Sequence, residues 1–191
     1  MKPLYKDGNA LDFSNYRPIS LLTSFSKVIE KILHKRLYYF LDQQKVFVNE
    51  KHGFRQKAST ETAAFFLLNT ILLFLDIVGG LFLDLRKAFD CIDHDILLSK
   101  LNYYGISVKA NELLKSYIKD RYQRVVMYDK FSNKLAPEWK QIKHGVPQGS
   151  VLGPLLFLIY ISDLPRTIDN YANSVLFADD TSIIITNTDA I

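Results

Sequence analysis

The sequence predicts an α/β protein, more closely α+β, in which an antiparallel sheet is backed by helices. Three observations point there. Two β-rich runs, Ser174-Val175-Leu176-Phe177 and Thr181-Ser182-Ile183-Ile184-Ile185, flank Ala178-Asp179-Asp180, which reads as the turn of a hairpin. Leu81-Phe82-Leu83-Asp84-Leu85 reads as a further strand, with Leu81, Leu83 and Leu85 on one face and Phe82 and Asp84 on the other. Several other stretches space their apolar residues as amphipathic helices do.

Composition sets the outer limits. The 191 residues suffice for one substantial domain or two lobes sharing a core, and a hydrophobic content of 48% excludes disorder. A net charge of +4 permits a polyanionic partner without demanding one. The single cysteine, Cys91, excludes an internal disulfide and suits a reducing compartment. His34, His52, His94 and His144 are scattered and give no zinc spacing. The polar, turn-like first eight residues do not read as a signal peptide.

Residues 1–20 look irregular. Ser24 is placed to cap a helix whose apolar face comprises Phe25, Val28, Ile29, Ile32, Leu33, Leu37, Phe40 and Leu41. Lys27, Lys31 and Lys35 form a basic row, either a solvated face or a contact to a nucleic-acid backbone. Lys51-His52-Gly53-Phe54-Arg55-Gln56-Lys57 is a basic loop of a kind that can close over phosphates. Ser59 or Thr60 then caps a second helix, with Glu61 well placed for the helix dipole. Residues 63–78 are nearly all apolar. They fall short of the roughly 20 residues a bilayer requires, and Asp76 would be costly there, so a buried core helix ended by Gly79-Gly80 is expected.

Asp84 closes an apolar strand and needs water, a metal or a basic partner such as Arg86 or Lys87. Asp93 caps the next helix, with Ile96, Leu97 and Leu101 inward and Gly105 as its stop. A third helix runs through Leu113, Leu114, Tyr117 and Ile118. Lys119-Asp120-Arg121-Tyr122-Gln123-Arg124 mixes basic and aromatic residues, which suits single-stranded nucleic acid and equally an ordinary helix-to-strand turn. Trp139 reads as packing.

Three glycines and two prolines between Gly145 and Pro154 fix an unusual backbone ahead of an apolar helix over 155–161. This block matches neither the phosphate-loop nor the dinucleotide pattern. The turn Phe177-Ala178-Asp179-Asp180 sets two carboxylates side by side, a repulsion that a cation between them would relieve. A plain polar hairpin tip is the competing reading.

Six ordered blocks together carry a resemblance. Phe82-Leu83-Asp84-Leu85-Arg86-Lys87-Ala88-Phe89-Asp90, Gly145-Val146-Pro147-Gln148-Gly149-Ser150 and Phe177-Ala178-Asp179-Asp180 resemble the motifs of reverse transcriptases. Asn15-Tyr16-Arg17-Pro18-Ile19-Ser20-Leu21-Leu22, His52-Gly53-Phe54-Arg55 and residues 155–165 are similar to those of non-LTR (LINE-type, jockey-like) retrotransposons. The resemblance spans nearly the whole chain. It implies a right-hand polymerase palm over 81–191, a partial fingers lobe over 1–80 and no thumb.

The implied activity is RNA-directed DNA synthesis: nucleotidyl transfer from a dNTP to a primer 3′-hydroxyl on an RNA template. Three convergent carboxylates would hold two magnesium ions, with manganese as an alternative, roughly 3.5–4 Å apart. By resemblance Asp84 and Asp179 are the principal metal ligands, Asp180 is a more peripheral third acid, and the Leu85 carbonyl adds a backbone ligand. Phe89 matches the family's gate against a ribose 2′-hydroxyl, with core packing as its plain alternative. Gln148 and Gly149 would line the nucleotide pocket, Arg55 would hold the triphosphate, and Arg17 would be a second cation. The implied partners are RNA template, DNA primer and dNTPs, with no membrane and no obligate protein partner. The implied location is intracellular, nuclear for target-primed synthesis and cytoplasmic for translation.

Departures from the family pattern accompany these matches. His144 stands where a small residue is expected, and the stretch from Ser59 to Leu83 is a few residues short. The chain also stops soon after Ile185, so a truncated fingers-plus-palm fragment is expected. A catalytically inactive remnant that folds and binds RNA is one alternative. A group II intron maturase or viral RNA polymerase is another, and a membrane protein built on residues 63–78 is the most distant.

Overall fold

The computed structural model describes residues 1–48, 50–55, 58–73, 78–128, 131, 133–168 and 172–186. Gln56 and Lys57 of the basic loop and Asp76 of the apolar run lie outside them. In chain order the elements are a hairpin of β1 (Lys2–Tyr5) and β2 (Tyr16–Ile19), helices α1 (Ser24–Gln43) and α2 (Thr60–Leu73), strand β3 (Val78–Asp84), and helices α3 (His94–Tyr103) and α4 (Val108–Ile118). Short strands β4 (Tyr122–Gln123), β5 (Met127–Tyr128), β6 (Lys134–Leu135) and β7 (Lys140–Gln141) follow. Helices α5 (Gly153–Tyr160) and α6 (Leu164–Ile168) lead to the closing hairpin of β8 (Asn173–Phe177) and β9 (Asp180–Thr186).

The central sheet is antiparallel, in the order β3-β9-β8. The segment around Lys51 joins the free side of β8 in parallel, through the Leu176 N–H to the Glu50 carbonyl and the His52 N–H to the Leu176 carbonyl, both 2.8 Å. The predicted antiparallel sheet backed by helices is therefore present.

Helix α5 lies at the centre of the core. Its residues Leu155, Leu156, Phe157, Leu158 and Ile159 are all buried, each burial contributing about 1.5–3 kcal/mol. Around it pack Leu37 and Leu41 of α1, Leu97 and Leu101 of α3, Leu114 and Ile118 of α4, and Leu176 of β8. Asp93 caps α3 as expected, accepting the Asp95 and Ile96 N–H groups, and Gly105 follows its end at φ +85°.

Several expectations are corrected. The cap of α1 is Thr23, whose hydroxyl accepts the Ser26 N–H at 3.2 Å; Ser24 is the first helical residue. The expected single apolar face of α1 is two faces. At 100° per residue the packed stripe is Glu30, Leu37 and Leu41, and Phe25, Val28 and Ile32 fall on the opposite side, exposed. Ile96 is exposed although Leu97 and Leu101 are buried. Helix α2 is not a buried core helix: only Ala63 and Thr70 are buried, and Phe65, Leu68, Leu72 and Leu73 are exposed. Small side chains seven residues apart let α2 lie along the sheet and turn its bulk outward. Gly79 and Gly80 lie inside β3 rather than ending the helix. Among the described residues no helix is long and apolar enough to cross a membrane.

The basic-loop reading fails for Lys51. This lysine is 1% exposed, and its ammonium donates to the Leu158 carbonyl near the end of α5 at 3.1 Å. Burial is the main cause that lowers its pKa to about 7. Between that value and the ordinary lysine value the unfolded chain binds the extra proton, so stability rises as pH climbs from about 7 towards 10 and is flat in this respect below 7. Thermal unfolding followed from about pH 6 to pH 9 should show this rise in the parent chain. Lys51→Met should unfold at higher temperature at the acid end and lose this part of the pH dependence.

Candidate active site

The site is built on the β8–β9 hairpin. Its turn is Ala178-Asp179, and Asp180 is the first residue of β9. The register places Asp84, the last residue of β3, directly opposite Asp180, so the two carboxylates project to one face of the sheet. Asp179 is reached through backbone: its carbonyl accepts the Leu85 N–H at 3.1 Å. Two segments 95 residues apart (179 − 84) thus meet at one end of the sheet.

Asp84 and Asp180 are exposed and Asp179 is half-buried. Among the described residues none of the three forms an ion pair, so Arg86 and Lys87 are not the partners of Asp84. Nor, among the described residues, are any three His, Cys, Asp or Glu side chains grouped as a ready-made cation cage. The backbone nevertheless suits an oxygen-coordinated divalent ion: two acids face each other and a third stands in the adjoining turn. The Leu85 carbonyl lies beside them and accepts only a long bond from the Ala88 N–H, 3.3 Å, which leaves lone-pair capacity.

The turn is held under constraint. Ala178 sits at φ +56°, a left-handed conformation that costs an L-residue roughly 1–2 kcal/mol. It is clamped by Gly53: a Cβ there would lie 2.0 Å from the Ala178 nitrogen and 2.9 Å from the Phe177 carbonyl carbon. Only glycine lets the segment from the basic loop lie this close.

The glycine block reaches the site from the other side. Gly145, at φ +84°, donates its N–H to the Ile92 carbonyl at 2.7 Å, and a Cβ on it would meet Asp90 Cα at 2.8 Å. The Val146 N–H donates to the Phe89 carbonyl at 2.9 Å, and Gln148 Nε2 to Asp90 Oδ1 at 2.9 Å. The Gln148 carbonyl accepts the Ser20 N–H at 2.9 Å, and exposed Gly149 lies against Ile19. Phe89 is half-buried, stacked on Phe157 with centroids 4.9 Å apart and edge-on to Phe54 at 5.8 Å.

The two arginines stand apart from this cluster. Arg55 Nη1 donates to the Val48 carbonyl at 2.7 Å, which holds the guanidinium back on its own loop. Arg17 is exposed on β2 opposite Leu4.

Sequence reasoning missed Glu30, whose carboxylate is 2% exposed. Its Oε2 accepts the Val151 N–H at 2.6 Å and the Leu152 N–H at 3.4 Å, and its Oε1 accepts the Tyr117 hydroxyl at 2.9 Å. Burial, with the Glu30 carboxylate adding to it, pushes the Tyr117 phenol up to about 12, so it remains a donor. The signal was available: Glu30 lies seven residues before Leu37, in the middle of the packed stripe.

The chain matches the family model described as "Reverse transcriptase (RNA-dependent DNA polymerase)" over residues 5–191. It belongs to that family. It is 37% identical over 160 residues to the probable RNA-directed DNA polymerase from transposon BS of Drosophila melanogaster, covering 79% of this chain and 16% of that protein. It is 31% identical over 191 residues to the RNA-directed DNA polymerase from mobile element jockey of the same species, covering 95% of this chain and 20% of that one. These are reverse transcriptases of the non-LTR retrotransposon type. The chain thus spans about a fifth or less of the length of these relatives. In fold it resembles apo telomerase from Candida Tropicalis truncated from the C-terminal domain, at a TM-score of 0.60 and 16% identity, covering 83% of this chain and 34% of that one. That likeness agrees with a right-hand polymerase fold. The reverse transcriptase family is generally dependent on divalent metal.

Two substitutions probe the constraints. Gly53→Ala should displace the segment from the Ala178 turn and lower stability well beyond Gly79→Ala, where the nearest atom to an added Cβ is 3.9 Å away. Urea unfolding of the two variants side by side checks this. Glu30→Ala leaves two N–H groups of the α5 entrance and a buried phenol without their acceptor, and should cost about 2–4 kcal/mol in the same measurement.

Proposed function

We propose that this chain forms the nucleotidyl-transfer centre of an RNA-directed DNA polymerase, copying RNA template onto a DNA primer from dNTPs. The observation that carries the reading is the meeting of Asp84 with Asp179 and Asp180 at one end of the β3-β9-β8 sheet, tied by the Leu85–Asp179 backbone bond. Asp84, Asp179 and Asp180, with the Leu85 carbonyl, would hold two magnesium ions. Such ions, when bound, supply charge neutralisation at the phosphates and activation of the primer hydroxyl.

The remaining residues bind and position. Gln148, fixed to Asp90, and Gly149 beside it offer a shaped floor for the incoming nucleotide. Phe89 presents an aromatic edge whose position is set by Phe54 and Phe157, which suits a ring that crowds a ribose 2′-hydroxyl. Arg55 and Arg17 are the triphosphate cations of this reading. Arg55 would exchange its Val48 carbonyl bond for phosphate oxygens, a stronger charge-assisted pairing.

Primer extension on poly(rA)/oligo(dT) with magnesium and labelled dTTP tests the reading. Extension should be present in the parent chain and fall by roughly 10²–10³-fold or more in Asp179→Asn. Equal extension by both would overturn it, and so would a folded parent chain with no extension. Phe89→Val should raise the ratio of ribonucleotide to deoxyribonucleotide incorporation. It should also cost about 1–2 kcal/mol of stability, because the same ring packs between Phe54 and Phe157.

A further inference from the structure

The ribbon between α4 and the glycine block has no part in the chemistry above, yet it holds the charge of the chain. Residues 119–143 contain seven lysines and arginines against three acids, an excess of four that equals the whole net charge of +4. The rest of the chain is balanced. One of the seven is spent locally, the Lys119 ammonium lying 2.5 Å from Asp95.

The aromatic residues of the ribbon are exposed where an ordinary helix-to-strand turn would bury them. Strands β4 and β7 pair Tyr122 with Gln141 and Gln123 with Lys140, and continuing that register by one residue sets Arg124 opposite Trp139. The Arg124 guanidinium lies 4.6 Å from the centre of the Trp139 ring. Tyr122 and Arg124 are two apart, so with Trp139 they share one face. Tyr122 is 59% exposed and Trp139 58% exposed, which corrects the expectation that Trp139 is packing. Asp120, two residues before Tyr122, accepts a bond from Gln141 Nε2 at 3.3 Å. Arg121 flanks the face, its guanidinium 5.2 Å from the Tyr117 ring, and Lys134, Lys140 and Lys143 are exposed nearby in the chain.

We propose that this face is a landing surface for single-stranded RNA, with bases stacking on Tyr122 and Trp139 and phosphates meeting Arg124, Arg121 and Lys140. Two exposed rings on one face, with a cation against one of them, suit unpaired bases, because every base offers a π-face while duplex bases are already stacked. The ribbon runs through Lys143 and His144 straight into Gly145, which touches Asp90, so it adjoins the proposed centre. The choice of RNA rests on the proposed function, in which the strand that is unpaired beside the centre is uncopied template.

Trp139 is the only tryptophan of the chain, so its fluorescence reports this face alone. Titration with an oligoadenylate RNA should quench it, with an affinity that falls steeply as salt rises. Tyr122→Ala and Arg124→Gln should each weaken binding roughly 5- to 50-fold, while Lys31→Gln on α1 should not, with circular dichroism confirming that each variant is folded. Duplex RNA should leave the signal unchanged. Binding seen by anisotropy without a change at Trp139 would overturn the proposal. So would an equal loss in Lys31→Gln, or tighter binding of oligodeoxyadenylate than of oligoadenylate. Asp179→Asn should bind RNA as the parent does, so a failed polymerase reading and a failed landing surface give different results.

Discussion

An apolar helix buried on every side can stay buried only if its two polar ends are satisfied, and α5 is such a helix. The first N–H groups and last carbonyls of any helix have no partner within it. At the α5 entrance those groups meet the Glu30 carboxylate, with the Ser150 hydroxyl accepting from the Gly153 N–H at 2.9 Å. At its exit they meet two ammoniums, Lys51 on the Leu158 carbonyl and Lys100 on the Tyr160 carbonyl. The signs are those that a helix dipole favours, acid at the start and base at the end. Two of these charges are almost fully buried, so their partners are obligatory. Glu30 comes from α1 and Lys51 from the segment beside β8. Satisfying one helix therefore fixes where two distant parts of the chain must lie.

The candidate site inherits its geometry from this arrangement. Lys51 is two residues before Gly53, and Gly53 clamps the strained Ala178 turn that carries Asp179. Glu30 holds the loop at Val151 and Leu152, just beyond Gln148 and Gly149. Gln148 and Gly149, which would touch nucleotide, thus sit two or three positions before a buried charge contact at Val151 that does not touch it. The aromatic series Phe54, Phe89 and Phe157 adds a further link, tying the Gly53 segment and α5 to the turn after β3.

Much of this was legible in the sequence, and what was missed has a physical pattern. The hairpin at Asp179, the β3 strand and the glycine block announce themselves through local chemistry: period-two apolar runs, a turn, and residues that need unusual backbone angles. The order of six blocks was specific enough to indicate the family. The burial of α2 was misjudged because apolar content says nothing of which face meets the sheet; small Ala63 and Thr70 face inward while Leu72 and Leu73 face out. The α1 stripe was misread because apolar residues alone were counted, and its centre is an acid. Lys51 reads as part of a solvent-facing basic loop able to close over phosphates, whereas this lysine answers a demand set by Leu158, 107 residues away. Pairings of that separation leave no local trace.

The three acids illustrate a division of labour between backbone and side chain. Their positions are set by strand register, by the Leu85–Asp179 bond and by a glycine contact, none of which involves a carboxylate. Asp84 and Asp180 are exposed, Asp179 is half-buried, and none of the three has an ionic partner among the described residues. Elsewhere the chain satisfies its buried charges with polar groups, Glu30 with two backbone N–H groups and a phenol and Lys51 with a carbonyl. A carboxylate already committed to a lysine would have to break that pair before it could serve a divalent ion, and the cost would be subtracted from ion affinity. Carboxylates held in place by backbone alone carry no such debt. This is why a substitution such as aspartate to asparagine at the turn can remove ligand charge while leaving untouched every contact that places the turn.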